Sequence, residues 1–282
     1  MLGGVIVLGL ALLTWPQIHV WRDSEALWRH TLVHQPESSV ARVNLGYTIW
    51  RDRQDPEAGD LFRSALARDP SDPRALNGLG MVLLAAGQAP AALDAFEKAI
   101  AVATHQTTGE AELAGYHCNR GYVLAGFGRY ADAARAYDAA RNLDPGNVEA
   151  WRMAGALLVE AGAPTQARDL LAEGYQLHPR DRALAGQLAW LLATHPHDAV
   201  RDGSAAKRIA TDLAERTDYA DPWVLKTLAA ALAEAGDAQE AVRTVDVALQ
   251  RAVERGAAEL RRELAIQREH YVQGAAYREP DR

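Results

Sequence analysis

Cysteine is nearly absent: Cys118 is the single one in 282 residues, so no internal disulfide can form. Phenylalanine occurs only three times and runs of β-branched residues are short, whereas Ala, Leu, Glu and Arg dominate. That balance excludes a strand-built chain and favours an all-helical one. A basic excess is also missing. The net charge is −7 and the pI about 5.7, which argues against nucleic acid as the main partner, since neutralising phosphates requires a cationic face. Nucleophile-elbow, phosphate-loop and dinucleotide-turn motifs are missing as well. No active site, no catalytic residue and no cofactor are therefore expected.

The stretch Ser39–Asp72 organises what is there. Leu45, Gly46, Ala58, Phe62, Ala65 and Pro70 sit on two successive amphipathic segments joined by a short polar turn. The small residues Gly46 and Ala58 are expected where the two helices cross closely, because dense packing excludes larger side chains there. Leu45, Ile49 and Phe62 are expected to fill the groove between the pair and its neighbour, and Pro70 to end the second helix. One hairpin cannot bury its apolar face alone, so the pattern must recur.

It does. A second copy carries Leu76, Leu79, Gly80, Leu83, Ala92, Phe96 and Ala99, with Thr104 in place of proline and about seven extra residues before the next copy relative to a ~34-residue period. A longer second helix and a looser turn near Thr107–Gly109 are the expected accommodation. The third copy has Gly121, Leu124, Ala133, Tyr137, Ala140 and Pro145; the fourth has Trp151, Gly155, Leu158, Ala167, Leu171 and Pro179, with Gly174 where alanine is usual. Gly87, Gly128 and Gly162 punctuate the pairs as left-handed helix ends. In the fifth copy, THPHDAVRDGSAA is inserted between the helices, the second running over about Ser204–Thr217; the sixth opens at Pro222. Ala257–Val272 reads as a polar-faced capping helix, and Gln273–Arg282 as a loosely held tail. This pattern resembles the tetratricopeptide repeat family across Ser39–Ala248. The resemblance implies an all-α, right-handed α-solenoid of about six helix hairpins, here spanning residues 39–256 with a cap and tail over 257–282.

Met1–Trp21 contains no charged residue and Leu2–Trp15 is almost wholly apolar. Such a run predicts a membrane-spanning helix over 1–21, with Trp15 and Trp21 at the interface, over the competing reading of a buried or interfacial helix. A basic leader and a small-x-small cleavage site are lacking, which disfavours a signal peptide. Because the chain opens almost inside the apolar run, further membrane segments upstream are expected. Residues 22–38 read as a half-repeat, its helix capped by Asp23 or Ser24, carrying Trp28 and stopped at Pro36.

The resemblance also implies that the first helix of each pair lines a concave surface. The positions predicted to face a bound peptide are Asn44, Tyr47, Trp50 and Arg51 in the first copy, Asn77 in the second, Asn119 and Tyr122 in the third, Arg152 in the fourth, and Gln187 and Trp190 in the fifth. Val43, Met81, Cys118, Met153, Trp223 and Lys226 are placed on the same face. Asn44, Asn119 and Gln187 fall at equivalent positions, and an amide offers a peptide backbone both a donor and an acceptor. Tyr47, Tyr122 and Trp190 follow one turn on as pocket walls. The opposing reading is that the amides serve local backbone and the aromatics pack between repeats; Gly78 and Met153 interrupt the amide row. The run His195-Pro196-His197-Asp198 has metal-ligand residue types, but without a fourth ligand nearby it reads as a capped turn, so no metal site is expected.

An apolar helix entering WRDSEALWRHTLVHQPESSVARVNLG, with LAWLLATHPHDAVRDGSAAKRIA and a closing YREP, is similar to bacterial membrane proteins bearing C-terminal repeats behind a membrane part of the protein O-mannosyltransferase type. That similarity implies repeats on the extracytoplasmic, periplasmic side of the membrane. The expected function is a membrane-anchored scaffold that binds a protein or peptide partner. The alternative is the substrate-recognition part of a lipid-linked-sugar-dependent protein glycosyltransferase whose catalytic membrane part lies outside this chain.

Overall fold

The computed structural model describes residues 23–106 and 108–280. The expected membrane helix over 1–21 lies outside these residues, as does Thr107 of the expected loose turn. Among the described residues every regular element is an α-helix, fourteen in all. In chain order they are α1 (Ser24–His34), α2 (Ser39–Arg53), α3 (Glu57–Leu66), α4 (Pro73–Ala85), α5 (Ala89–His105), α6 (Glu110–Gly126) and α7 (Tyr130–Leu143). Then follow α8 (Val148–Glu160), α9 (Pro164–Leu177), α10 (Arg182–Thr194), α11 (Gly203–Glu215), α12 (Pro222–Glu234), α13 (Ala238–Glu254) and α14 (Ala258–Val272). Helices α2 to α13 form six hairpins. Two compact units divide the chain, Met1–Leu143 and Asp144–Arg282.

The first helix of nearly every pair starts on a short polar side chain that accepts from an otherwise unpaired backbone N–H. Ser38 takes the Ala41 amide at 3.2 Å, Asp72 that of Ala75 at 3.0 Å, Asn147 that of Ala150 at 3.2 Å and Asp181 that of Leu184 at 2.8 Å. Asp23, not Ser24, caps α1. Within the pairs, Gly87, Gly128 and Gly162 hold φ near +73° (74°, 72° and 73°). At each, the following amide reaches back to close the preceding helix, as in Gln88 N–H to Leu83 C=O at 2.9 Å. The second helix α5 is indeed long, 17 residues. Helix α3 ends at Leu66, well before Pro70, so a turn rather than the proline terminates it.

In the first unit the crossing is tighter than the small-against-small expectation. Gly46 faces the ring of Phe62, not Ala58: a Cβ on Gly46 would lie 2.8 Å from that ring, and one on Gly78 2.4 Å from it. Phe62 of α3 is thus wedged between a glycine of its own pair and a glycine of the next. Phe96 repeats the contact at Gly80, at 2.5 Å.

In the second unit a continuous apolar core runs from Trp151 through Leu188, Leu225 and Val245 to Tyr271. Gly155 receives Leu171, and the unusual Gly174 makes room for Trp151, whose Cβ would stand 3.1 Å from an added methyl. The inserted segment between α10 and α11 is built around Arg201. Its guanidinium donates to the carbonyls of His195 at 2.9 Å and Pro196 at 2.6 Å, pairs with Asp198, and meets Glu234 Oε1 at 3.0 Å. The tail is held, contrary to the loose end expected: Tyr277 packs on the core, and Glu279 N–H donates to Thr194 C=O at 2.9 Å.

Candidate functional site: the first-helix faces

In the first unit, Asn44, Tyr47, Trp50 and Arg51 project from α2 one turn apart and line a hollow of about 620 Å³ together with Trp28 and Met81. Tyr47 is central. Its hydroxyl donates to Arg74 C=O at 2.8 Å and accepts from Asn77 Nδ2 at 3.0 Å, and its ring meets Phe62 edge-on at 5.2 Å. Burial, only partly offset by the Asn77 hydrogen bond, pushes the Tyr47 phenol up to about 12. Asn77 is itself buried, and its Oδ1 accepts from Asn119 Nδ2 at 2.9 Å. Gly78 holds the slot equivalent to Asn44 and Asn119, and Asn77, one residue earlier, reaches Asn119 from the neighbouring position.

Asn44 is engaged separately: its Oδ1 accepts from Arg74 Nη2 at 2.9 Å. Arg74 was not legible as a site residue, yet it organises this face. Its guanidinium also stacks 5.7 Å from the Tyr47 centroid and lies 3.3 Å from Glu112. The available signal was its place one turn before Asn77 in a helix opened by Asp72-Pro73. Arg51 is exposed and pairs with neighbouring Asp52 at 2.8 Å, and Tyr122 is 57% exposed. Two residues assigned to this face are not on it: Val43 is 1% exposed and packs in the core with Leu45 and Ile49, and Cys118 is buried. Val43 precedes Asn44 by one residue, a rotation of about 100° that turns it inward.

In the second unit, Arg152 pairs with Glu149 at 2.8 Å, and its carbonyl accepts from Gln187 Nε2 at 3.1 Å. Gln187 Oε1 is buried with no donor among the described residues. Trp190, one turn on, has Lys226 Nζ 4.4 Å over its ring and donates Nε1–H to Glu279 Oε1 at 2.8 Å. Gln187 and Trp190 line a cavity of about 270 Å³ with Val159, Leu191, His195 and Pro280. The histidines of the inserted turn stand ring to ring at 5.2 Å, and His195 Nδ1 accepts the His197 amide at 3.1 Å. That is the geometry of a stiffened turn. The tail residues Tyr277, Arg278 and Glu279 at this site were missed, because an extended segment after the last helix carries no periodic signal.

Chemically, both faces offer aromatic walls, amide groups and single charges.

The profile of the Tetratricopeptide repeat family matches residues 21–73, 56–106 and 118–182, together more than half of the sequence. The chain belongs to the tetratricopeptide repeat family. Among curated proteins it is similar to Cellulose synthase 2 operon protein C of Komagataeibacter xylinus, at 30% identity over 79% of this chain and 20% of that protein. The chain thus spans about one fifth of the length of the curated relative it matches. Among solved structures it is similar to pilF of Pseudomonas aeruginosa, with a TM-score of 0.64 at 19% identity, covering 83% of this chain and 99% of that one. It is also similar to YrrB, described as a TPR protein with an unusual peptide-binding site, with a TM-score of 0.53 at 18% identity, covering 68% and 93%. These structural likenesses show the fold.

Proposed function

We propose that the chain is a scaffold that binds a segment of a partner protein along the faces of its first helices. The observation that carries this reading is the hollow on α2, where Asn44, Tyr47, Trp50 and Arg51 converge beside Met81. Its polar groups are positioned by Arg74 and Asn77, so a ligand would meet a preorganised surface and lose less on ordering it. Membership of the repeat family and the similarity to YrrB support a peptide-type ligand. The name of the relative from Komagataeibacter xylinus supports a search for the partner in an assembly devoted to polysaccharide synthesis. The uncharged run 1–21 supports a membrane anchor, with the repeats on the extracytoplasmic side; protease accessibility in intact spheroplasts tests that placement.

The test of the scaffold reading is site-specific photocrosslinking. A crosslinking residue at Arg51 or Tyr122 should trap a partner, and one at Lys98 on a second helix should not. Trapping from Lys98 alone would overturn it. Asn44→Ala combined with Asn119→Ala should weaken binding; unchanged binding would remove the amides from the site. The glycosyltransferase alternative gains nothing from the fold. The segment behind that resemblance forms α10, the inserted turn and α11, and its charged residues Asp198 and Arg201 serve the turn itself.

A further inference from the structure

Beyond α14 the chain turns at Gly274, in the left-handed region with φ 73°, and runs back without helix or strand over α10 and α12. Four contacts seat it. The Glu279 amide donates to the Thr194 carbonyl at 2.9 Å, one of the acceptors that the end of α10 leaves unpaired. Trp190 Nε1–H donates to Glu279 Oε1 at 2.8 Å. Arg278 meets Glu234 Oε2 at 2.6 Å while Arg201 holds the other oxygen of the same carboxylate at 3.0 Å. The Tyr277 ring stands 6.2 Å from Trp190 and edge-on to His270 at 5.7 Å.

Each receiving group belongs to a helix of the repeat stack. Thr194 is fully buried, and Glu234 is 13% exposed and already oriented by Arg201. The tail, by contrast, is only partly buried and contributes the kinds of contact that a separate extended segment makes: one main-chain hydrogen bond, one carboxylate, one guanidinium and one ring. Glu279 and Pro280 also line the cavity of about 270 Å³, whose wall includes Gln187 and Trp190.

We propose that the groove between α10 and α12 is a recognition site for an extended Tyr-Arg-Glu-Pro-type segment, and that residues 277–280 are its intramolecular occupant. A partner strand of the same chemistry competes with the tail for the seat. This deepens the scaffold reading by giving the second unit a ligand chemistry, and it rests on that reading. Tethering gives the tail an effective concentration on the order of millimolar, so a trans ligand is disfavoured until the tail is loosened.

The test uses the full chain and a fluorescein-labelled peptide, Gly-Ala-Ala-Tyr-Arg-Glu-Pro, with fluorescence anisotropy as readout. In the Arg278→Ala/Glu279→Ala variant the peptide should bind at least tenfold more tightly than in the unaltered chain. The gain should vanish when Trp190→Phe is added, or when the peptide's glutamate is replaced by alanine. If circular dichroism shows that the double variant has lost helix, Glu279→Ala alone is measured, with the same outcomes. Equal binding to variant and unaltered chain, or none to a folded variant, overturns the proposal. Photocrosslinks from Arg51 in the first unit are independent of this groove, so they separate failure here from failure of the scaffold reading.

Discussion

The ring of Phe62 occupies the place where a side chain on Gly78 would begin, 2.4 Å from an ideal Cβ there. Gly78 belongs to the first helix of the following pair, so one aromatic ring fixes the spacing between two repeats. Gly78→Ala would gain up to about 1 kcal/mol of helix propensity. It would also press a methyl into a ring already braced against Gly46, at a cost of about 1–3 kcal/mol. The clash should win, lowering stability in urea denaturation followed by circular dichroism. Combining it with Phe62→Leu should cost less than the sum of the two single changes, because the smaller side chain yields the space.

Tyr47→Phe removes one hydroxyl and strands two groups, the Arg74 carbonyl and the Asn77 amide. The expected loss is about 1–2 kcal/mol. Isothermal urea titration measures it. Asn77→Ala should give a similar loss, and the double variant should show strong coupling.

His117 on α6 supplies a pH test. Burial, helped by the nearby Arg120 charge, lowers its pKa from 6.5 to about 4. Above pH 6.5 both folded and unfolded states are neutral here and the group costs nothing. As pH falls from 6.5 toward 4 the unfolded chain takes up a proton that the folded chain resists, so stability drops; below about 4 the loss levels off. His117→Gln should flatten this window by on the order of 1 kcal/mol at pH 5, read as the difference between two denaturation series.

Arg201 and Glu234 form a pair in which each side chain is only 13% exposed. Arg201→Ala leaves that carboxylate with Arg278 alone and unties the inserted turn, at a cost of about 3 kcal/mol. Differential scanning calorimetry should show the drop. Because Glu234 also receives the tail, the indole resonance of Trp190 should shift in the same variant.

Gly203 is the first residue of α11, and a Cβ on it would fall 2.7 Å from the backbone carbonyl carbon of Glu234. Backbone cannot swing aside as a side chain can. Gly203→Ala should therefore destabilise the second unit by more than about 2 kcal/mol, measurable by the same calorimetry.

The repeat architecture was legible because each pair must solve the same packing problem with the same small set of side chains, and the period exposes the solution. Six pairs and the left-handed glycines follow from it. The partners of the small residues were not legible: Gly46 meets Phe62, not Ala58, and which facing residue fills a notch depends on crossing geometry that spacing alone leaves open. Four predicted residues, Asn44, Tyr47, Trp50 and Arg51, do come together, since residues a turn apart share a helix face. Val43 illustrates the margin: one residue of register separates that face from the core. Arg74 and the 277–280 segment escaped because their roles depend on long-range contacts with no counterpart in the motif.

The hydrogen bonds running from Tyr47 through Asn77 to Asn119 tie α2, α4 and α6 across three successive hairpins. In a stack whose stability is otherwise a sum of nearest-neighbour interfaces, such a line penalises the boundary between an open and a closed hairpin. Amide protons of these three helices should then exchange with solvent as one block instead of fraying hairpin by hairpin. Anything lying along them would meet a face that is complete or absent, with little in between.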